Sequence, residues 1–268
     1  MNINNKYGWK KQVPDDRDFT IHTLKSVRPM ATVLPPVVNL RKWCSEIQDQ
    51  KNIGSCTANA WAGLLQYNQN KYPLKGRKYF NMSRLFIYYN ERVIEGTANE
   101  DSGAQLRDGA KAIATYGSCA EYDWPYDTSK FTIKPTEACF KVAYPNHIHS
   151  YYSLDGRTPD QTLNNLKTCI ASEQPFVFGF TVYESFESDV VAKTGIMPMP
   201  NVNAEQILGG HAVMAVAFDS YKQCFLVRNS WGGGWGLKGT NAGYFWMPFE
   251  FISNPHFACD MWTLIKEI

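Results

Sequence analysis

Residues 50–69 read QKNIGSCTANAWAGLLQYNQ and contain a single cysteine, Cys56. From Cys56 onward apolar residues recur at helical spacing, so the sequence predicts a helix that begins at the cysteine, with Ser55 as its N-cap. A helix N-terminus offers unpaired N–H groups and partial positive charge, which lower the pKa of a thiol placed there. Taken alone, a cysteine at a helix start is more often structural than nucleophilic, so both interpretations stay open at this point.

Helical patterns dominate the first half of the chain and strand patterns the second half. Further helices are predicted at SRLFIYYNERV (83–93), GAQLRDGAKAIATYG (103–117) and TPDQTLNNLKTCI (158–170). Their caps are predicted at Asn81 or Ser83, at Gly117, and at Thr158 followed by Pro159. Strands are predicted at FVFGFTVYE (176–184), HAVMAVAFD (211–219), QCFLVRNS (223–230) and GYFWMPFEFI (243–252). This segregation predicts an α+β fold, with two subdomains and a cleft between them.

The composition excludes several functional classes. The net charge is only +2, from 27 basic and 25 acidic residues, and no basic stripe appears, so we expect no nucleic-acid partner. The longest weakly polar run, GGHAVMAVAF, is far too short to span a membrane. The N-terminus has neither the apolar core nor the cleavage site of a signal peptide. We therefore expect a soluble monomer, either intracellular or associated with a virion.

The cysteines give no metal-binding pattern. No C-x-x-C pair is present, which argues against a zinc ribbon, and the sequence implies no other cofactor. An odd count leaves at least one thiol outside any disulfide, while a fully reduced chain is equally compatible with the sequence. The seven cysteines are Cys44, Cys56, Cys119, Cys139, Cys169, Cys224 and Cys259.

Two downstream motifs offer a base and a group to orient it. His211 follows two glycines and precedes an apolar run in LGGHAVMAV, although alone it reads as a core histidine. Asn229 ends an apolar strand in VRNSWGGGWG, which alone reads as a glycine-rich turn. A histidine that accepts a thiol proton needs its other ring nitrogen held by a third group, and an amide oxygen does this without adding charge. Trp231 could shield that hydrogen bond from water.

A fourth residue completes the pattern. Gln50 lies six residues before Cys56, and its side-chain amide could stabilise an oxyanion together with the backbone N–H of the nucleophile; otherwise it is an exposed loop residue. Gln50, Cys56, Gly-Gly-His211 and Asn229-Ser-Trp-Gly, in this order, resemble the papain-like cysteine peptidases, the family of papain and the cathepsins. His211 and Asn229 follow Cys56 by 155 and 173 residues, close to the spacing in that family. The resemblance extends over about residues 34–268 and includes DSGAQLRDGAKAIATYG, WPYD and GYFWM.

This resemblance implies a cysteine endopeptidase that hydrolyses peptide or protein substrates. Cys56 would be the nucleophile, paired as a thiolate with imidazolium His211 and acylated as a thioester. Asn229 would orient His211, and Gln50 would complete the oxyanion hole. The implied fold has a mainly helical subdomain at about 45–140 and a mainly β subdomain at about 141–260. The implied substrate-binding residues are Ser102 and Gly103 for the peptide backbone, Gly209, Gly210 and Ala212 for the residue two before the cut, and Trp231 and Trp235 for the leaving-group side.

Several positions depart from the family pattern. Ile53 stands where a cysteine is usual, Thr57 replaces an aromatic residue, and no cysteine precedes Ser102-Gly103. These changes argue against the disulfide-stabilised lysosomal branch, and the chain looks more like divergent members from bacteria, archaea and large DNA viruses. Gly209 and Gly210 leave the pocket rim open, so an isopeptidase or transferase is a second interpretation. A non-catalytic peptide-binding module, the third, would be expected to have lost Cys56 or His211.

The N-terminal extension, residues 1–33, is too short and too weakly periodic for the long helical propeptide of the family. Its stretch GWKKQVPDDRDF (8–19) resembles the leader of the divergent members. We therefore expect residues 1–33 to lie on the surface, across the cleft or along the β subdomain, and to limit access to the site. This interpretation makes the chain its own inhibitor.

Overall fold

The computed structural model describes residues 6–27, 30–73 and 80–265. Within these ranges the structure combines helices with one antiparallel sheet, so the predicted α+β class is confirmed. The helices are α1 (Ile21–Val27), α2 (Cys56–Lys71), α3 (Arg84–Ile94), α4 (Leu106–Tyr116), α5 (Glu137–Ala143), α6 (Pro159–Ala171), α7 (Asp189–Thr194) and α8 (Phe249–Ser253). The strands are β1 (Val37–Asn39), β2 (Ser150–Ser153), β3 (Phe176–Tyr183), β4 (Ile207–Asp219), β5 (Cys224–Arg228), β6 (Tyr244–Pro248) and β7 (Ala258–Ile265). None of the described helices is both long and apolar enough to span a membrane.

The sheet separates two cores. Its strand order is β2-β7-β3-β4-β5-β6, and the short β1 pairs with β4 outside this path. Successive strand residues point to opposite faces, so Phe176, Phe178 and Phe180 fill the core on one side. Val177 and Met214 point to the other side and pack with the helices. Both faces are buried, which explains why β3 and β4 read as nearly continuous apolar runs.

Helix α2 is the central element of the helical side. Its residues from Cys56 to Asn68 are all buried, because α3, α4 and the sheet surround it. A Cβ at Gly63 would lie 3.3 Å from Arg228 Nε, so the glycine gives room to the Arg228 side chain of β5. The sheet therefore fixes the position of α2, and with it the position of the cysteine at its first turn.

Most predicted helices and caps are confirmed. The hydroxyl oxygen of Ser83 accepts from Phe86 N, that of Thr158 accepts from Gln161 N, and Gly117 has a φ of +72°. Ser55 precedes α2 as predicted but makes no side-chain cap bond, and its hydroxyl instead pairs with Tyr126 at 2.5 Å. The strand predicted over 243–252 is wrong beyond Pro248, where the chain turns into α8; proline lacks the N–H that a strand needs.

The N-terminal extension differs from the expectation of a purely surface segment. Residues Ile21–Val27 form helix α1, which the sequence did not predict. Ile21 and Leu24 are 1% and 0% exposed and belong to the core on the sheet side. A helix of this length stays folded through such packing rather than through its intrinsic propensity. No disulfide links any of the seven cysteines, which are all described.

Candidate active site

Helix α2 places Cys56 at the floor of a cleft between the helices and the sheet. The residue is completely buried, and the loop before it brings Gln50 alongside. Gln50 is held at both ends of its side chain: Oε1 accepts from Ser230 Oγ at 2.7 Å, and Nε2 donates to Ile53 O at 3.1 Å. Its backbone carbonyl accepts from the Tyr126 hydroxyl at 2.8 Å. The side-chain amide of Gln50 is therefore fixed in place by the surrounding fold.

His211 and Asn229 meet across β4 and the end of β5. His211 Nε2 lies 2.8 Å from Asn229 Oδ1, and the same oxygen accepts from Ser230 N at 2.8 Å. An atom that accepts a backbone N–H must be the amide oxygen and not the amide nitrogen. His211 Nε2 therefore carries the proton and donates it to Asn229 Oδ1. Among the described atoms His211 Nδ1 has no hydrogen-bond partner, so this nitrogen is the one available as a base. The Trp231 ring stacks on the imidazole at 4.8 Å between centroids and covers the pair, as predicted.

Burial controls the protonation states in this structure. It raises the pKa of the Cys56 thiol to about 12, although N–H groups of Ala212 and Gly8 oppose the shift. It also lowers the pKa of His211 to about 4, against the opposing effect of the bond to Asn229. Burial therefore disfavours the charged form of both groups while the cleft is filled.

The cleft is filled by residues 6–12, called the arm below. Trp9 N donates to Gly210 O at 3.0 Å on the sheet side. On the helical side, Ala104 N donates to Gly8 O at 2.7 Å, and Lys10 N donates to Ala104 O at 3.0 Å. A Cβ on Gly8 would lie 1.8 Å from Gly54 O, so only glycine fits at this point. The arm thus pairs with both walls, as an extended peptide would.

Two side contacts fix the start of the arm over the catalytic groups. Gln50 Nε2 donates to Lys6 O at 2.9 Å. The Tyr7 ring packs edge-on against Trp231, 6.5 Å between centroids, and its hydroxyl donates to Glu187. The arm therefore places a backbone carbonyl at the side-chain amide that is predicted to complete the oxyanion hole.

The predicted substrate-binding residues divide into two groups. Gly103, Gly209, Gly210, Ala212 and Trp231 lie against the arm or Cys56. The other two do not: the Ser102 hydroxyl lies within hydrogen-bond distance of Thr97 Oγ1 and Gly103 O, and Trp235 is buried behind Trp231. Trp235 supports the wall from inside the core and does not form its surface.

Sequence reasoning missed Asp260, whose carboxylate Oδ2 accepts from Trp9 Nε1 and from Gln12 N, both at 3.0 Å. It also missed Gly179, where a Cβ would lie 1.9 Å from the Trp9 ring. Each had a signal in the sequence. A lone glycine in FVFGF indicates close approach of another group, and an aspartate in the apolar run FACDMWTLI is a buried polar residue that needs partners.

Comparison with known proteins agrees with the site. Residues 34–250 match the papain family of cysteine proteases. A peptidase C1-like protein of Acanthamoeba polyphaga mimivirus is 41% identical, over 99% of this chain and 88% of its own length. The crystal structure of xylellain, a cysteine protease from Xylella fastidiosa, superposes with a TM-score of 0.83 at 36% identity, covering 99% of this chain and 97% of its own. A procathepsin L of Tenebrio molitor, at 19% identity and a TM-score of 0.66, shares the fold.

The chain belongs to the papain family of cysteine proteases. It has the papain-like fold, with helices on one side of the cleft and the sheet on the other. Its activity is that of a cysteine-type endopeptidase, a hydrolase that acts on peptide or protein substrates.

Proposed function

We propose that Cys56, His211, Asn229 and Gln50 carry the reaction, and that the arm keeps them inactive until it leaves the cleft. The observation that carries this proposal is the bond from Gln50 Nε2 to Lys6 O, at 2.9 Å. An oxyanion-hole donor must point at the carbonyl oxygen that is attacked, and here a carbonyl of the same chain accepts from it. A substrate cannot bind there until that carbonyl moves away.

The direction of the arm explains why it would resist cleavage. Tyr7 contacts Trp231, on the side assigned to the leaving group, and Trp9 lies at Gly210, on the side assigned to the acyl group. The chain thus runs from the leaving-group side to the acyl side, whereas a substrate runs the other way. In a chain that runs backwards, the peptide nitrogen lies on the acyl side of the carbonyl and not on the leaving-group side. His211 therefore cannot protonate it as it would protonate the leaving amine of a substrate.

Departure of the arm would also create the active protonation state. The N–H of Gly8 and the rings of Tyr7 and Trp9 exclude water from Cys56 and His211. When water enters, the burial that holds the two groups neutral is relieved, and the helix N-terminus and the imidazole then favour the thiolate. His211 Nδ1 receives the thiol proton, delivers it to the leaving amine, and later takes one from the hydrolytic water.

A substitution at Gly8 tests the proposal in the full-length chain. The Cβ of Gly8→Ala has no room beside Gly54 O, so the variant should hydrolyse a peptide substrate with an initial rate at least about tenfold above the parent chain. Val13→Ala is the matched control, because Val13 is 76% exposed, just beyond the arm. Adding Cys56→Ala should abolish the gained activity. Equal rates for the parent chain and Gly8→Ala, with Gly8→Ala folded, would contradict inhibition by the arm.

A further inference from the structure

The pocket that holds Trp9 contains an unusual backbone feature. Strand β7 has a register shift opposite β3: Val177 pairs with Trp262, but Gly179 pairs with Cys259. Asp260 lies within this bulge with a φ of +58°, a conformation that residues other than glycine rarely adopt. Bulges re-aim side chains, and backbone strain is typically kept where function requires it. Here the bulge directs the Asp260 carboxylate at the indole of Trp9.

Two glycines give the pocket the shape of a slot. A Cβ at Gly179 would lie 1.9 Å from the Trp9 ring, and one at Gly210 would lie 2.7 Å from it. Any side chain at either position would therefore close the slot. The pocket accepts a flat group inserted between two stretches of bare backbone, with a carboxylate at its end.

The carboxylate loses two of its donors when the arm leaves. With the arm in place Asp260 is only 5% exposed, Oδ2 accepts from Trp9 Nε1 and Gln12 N of the arm, and the Cys259 side chain is a further hydrogen-bond partner. A ligand that enters the emptied pocket displaces water from this carboxylate, so the pocket favours an occupant that replaces the two arm donors. A second carboxylate, Asp155, accepts from Met261 N on the adjoining residue of the bulge and adds negative charge to this region.

We propose that Asp260 makes this peptidase selective for substrates whose residue two before the cut carries a planar N–H group, an arginine guanidinium or a tryptophan indole. A guanidinium is flat, carries several donors and is positively charged, so it satisfies both the slot and the carboxylate. An aliphatic side chain fills the slot but replaces neither of the two arm donors, and a glutamate adds repulsion. The inference rests on the proposed function, because it takes Cys56 as the nucleophile and the Trp9 pocket as a substrate pocket.

Electrophilic peptide probes measure this selectivity without turnover. Four probes would differ only in the residue two before the reactive group: arginine, tryptophan, leucine or glutamate. Their rate of reaction with Cys56 is followed by intact mass in the full-length parent and in Gly8→Ala. In Gly8→Ala the arginine and tryptophan probes should react at least about tenfold faster than the leucine probe, with glutamate slowest.

Variants at the carboxylate decide whether Asp260 is the cause. Adding Asp260→Asn to Gly8→Ala should remove the advantage of arginine over leucine, so that the rates of these two probes in the double variant should agree within about twofold. Adding Asp189→Asn instead is the control, since Asp189 lies exposed on α7 and pairs only with Lys193 among the described ion pairs. An advantage of arginine that survives Asp260→Asn, or a leucine probe that reacts fastest in Gly8→Ala, would overturn the inference.

The two proposals fail in different ways. If the parent chain reacts as fast as Gly8→Ala, inhibition by the arm is wrong, yet the ranking of the four probes still reports the pocket. If Gly8→Ala reacts faster than the parent but all four probes react alike, inhibition by the arm stands and selectivity by Asp260 is wrong.

Discussion

The arm and helix α1 belong to the same N-terminal extension but are held in different ways. The arm is held by hydrogen bonds, such as Trp9 N to Gly210 O, together with two partly buried rings, those of Tyr7 and Trp9. Helix α1 is held by Ile21 and Leu24, which are fully buried among the side chains of the sheet-side core. Hydrogen bonds exchange with water at little net cost, whereas fully buried apolar surface does not. We therefore expect the arm to leave its site more readily than α1 does.

Truncation should separate the two parts most strongly. Removal of residues 1–12 should leave a folded chain whose peptidase activity rises by at least about tenfold, since the cleft is emptied and the core is untouched. Removal of residues 1–33 also deletes Ile21 and Leu24 and should yield a chain that unfolds at a clearly lower temperature or aggregates. Activity assays and thermal melts on both truncated chains check this. Comparable stability of the two would remove the distinction.

The reactivity of Cys56 should change with the arm as well. In the full-length chain a thiol with a pKa of about 12 should be alkylated slowly at pH 6 and faster as the pH rises. Without residues 1–12 the thiolate–imidazolium pair should persist below pH 7, so alkylation at pH 6 should be about a hundredfold faster and depend little on pH. Iodoacetamide labelling read by intact mass gives both profiles, with Cys56→Ala as the blank. A steep rise with pH in the truncated chain would show that the pair does not form.

A single core substitution should affect stability without activation. Leu24→Ala removes a fully buried side chain and should lower the free energy of unfolding by about 2–5 kcal/mol. The arm should stay in the cleft, so the peptidase rate below the unfolding transition should equal that of the parent. Denaturant titration and activity assays measure the two quantities. Val33→Ala, at an 80% exposed position of the same extension, is the matched control. Activation by Leu24→Ala would mean that α1 and the arm are released together.

The smallest effect should come from the connection between the two parts. Arg107 donates to Asp18, with Nε to Oδ1 at 3.0 Å, and to Val13 O at 2.8 Å, so it holds the segment that joins the arm to α1. Asp18→Asn keeps the size of the side chain but removes its charge. We expect a loss of about 1 kcal/mol or less in unfolding free energy and a rise of a fewfold in peptidase activity. Asp16→Asn, its neighbour in the same segment, should change neither. Activation as large as that of Gly8→Ala would place the main restraint here.

The sequence indicated the proposed catalytic residues more readily than it indicated the elements of the N-terminal extension. Cys56, His211 and Asn229 lie within motifs whose spacing and local structure carry the information, and the long strands and helices follow from periodicity. Helix α1 could not be found in this way, because a seven-residue helix, with Ile21 and Leu24 buried among its described side chains, forms no distinctive pattern. Its stability depends on contacts with residues more than a hundred positions away.

The bulge at Asp260 was equally beyond local reasoning. A run such as FACDMWTLI fits a continuous strand. Only the pairing with β3 shows that β7 has one extra residue between the partners of Val177 and Gly179. The direction of the arm is also a tertiary property. The sequence indicated that the extension lies across the cleft or along the β subdomain, but which end lies at Trp231 depends on where α1 is anchored.

The short turn between the arm and α1 makes the arm a tethered ligand. Only residues 13–18 separate the cleft-bound segment from the Phe19–Thr20 stretch, where Ser153 N donates to Phe19 O at 2.7 Å. A ligand on so short a tether acts at an effective concentration of about millimolar or above, whatever the concentration of the protein. Under the proposed inhibition, dilution would therefore not activate the peptidase, and a substrate would compete with a fixed local concentration of the arm. Cutting within that turn would convert the same contacts into a free peptide that dilutes away.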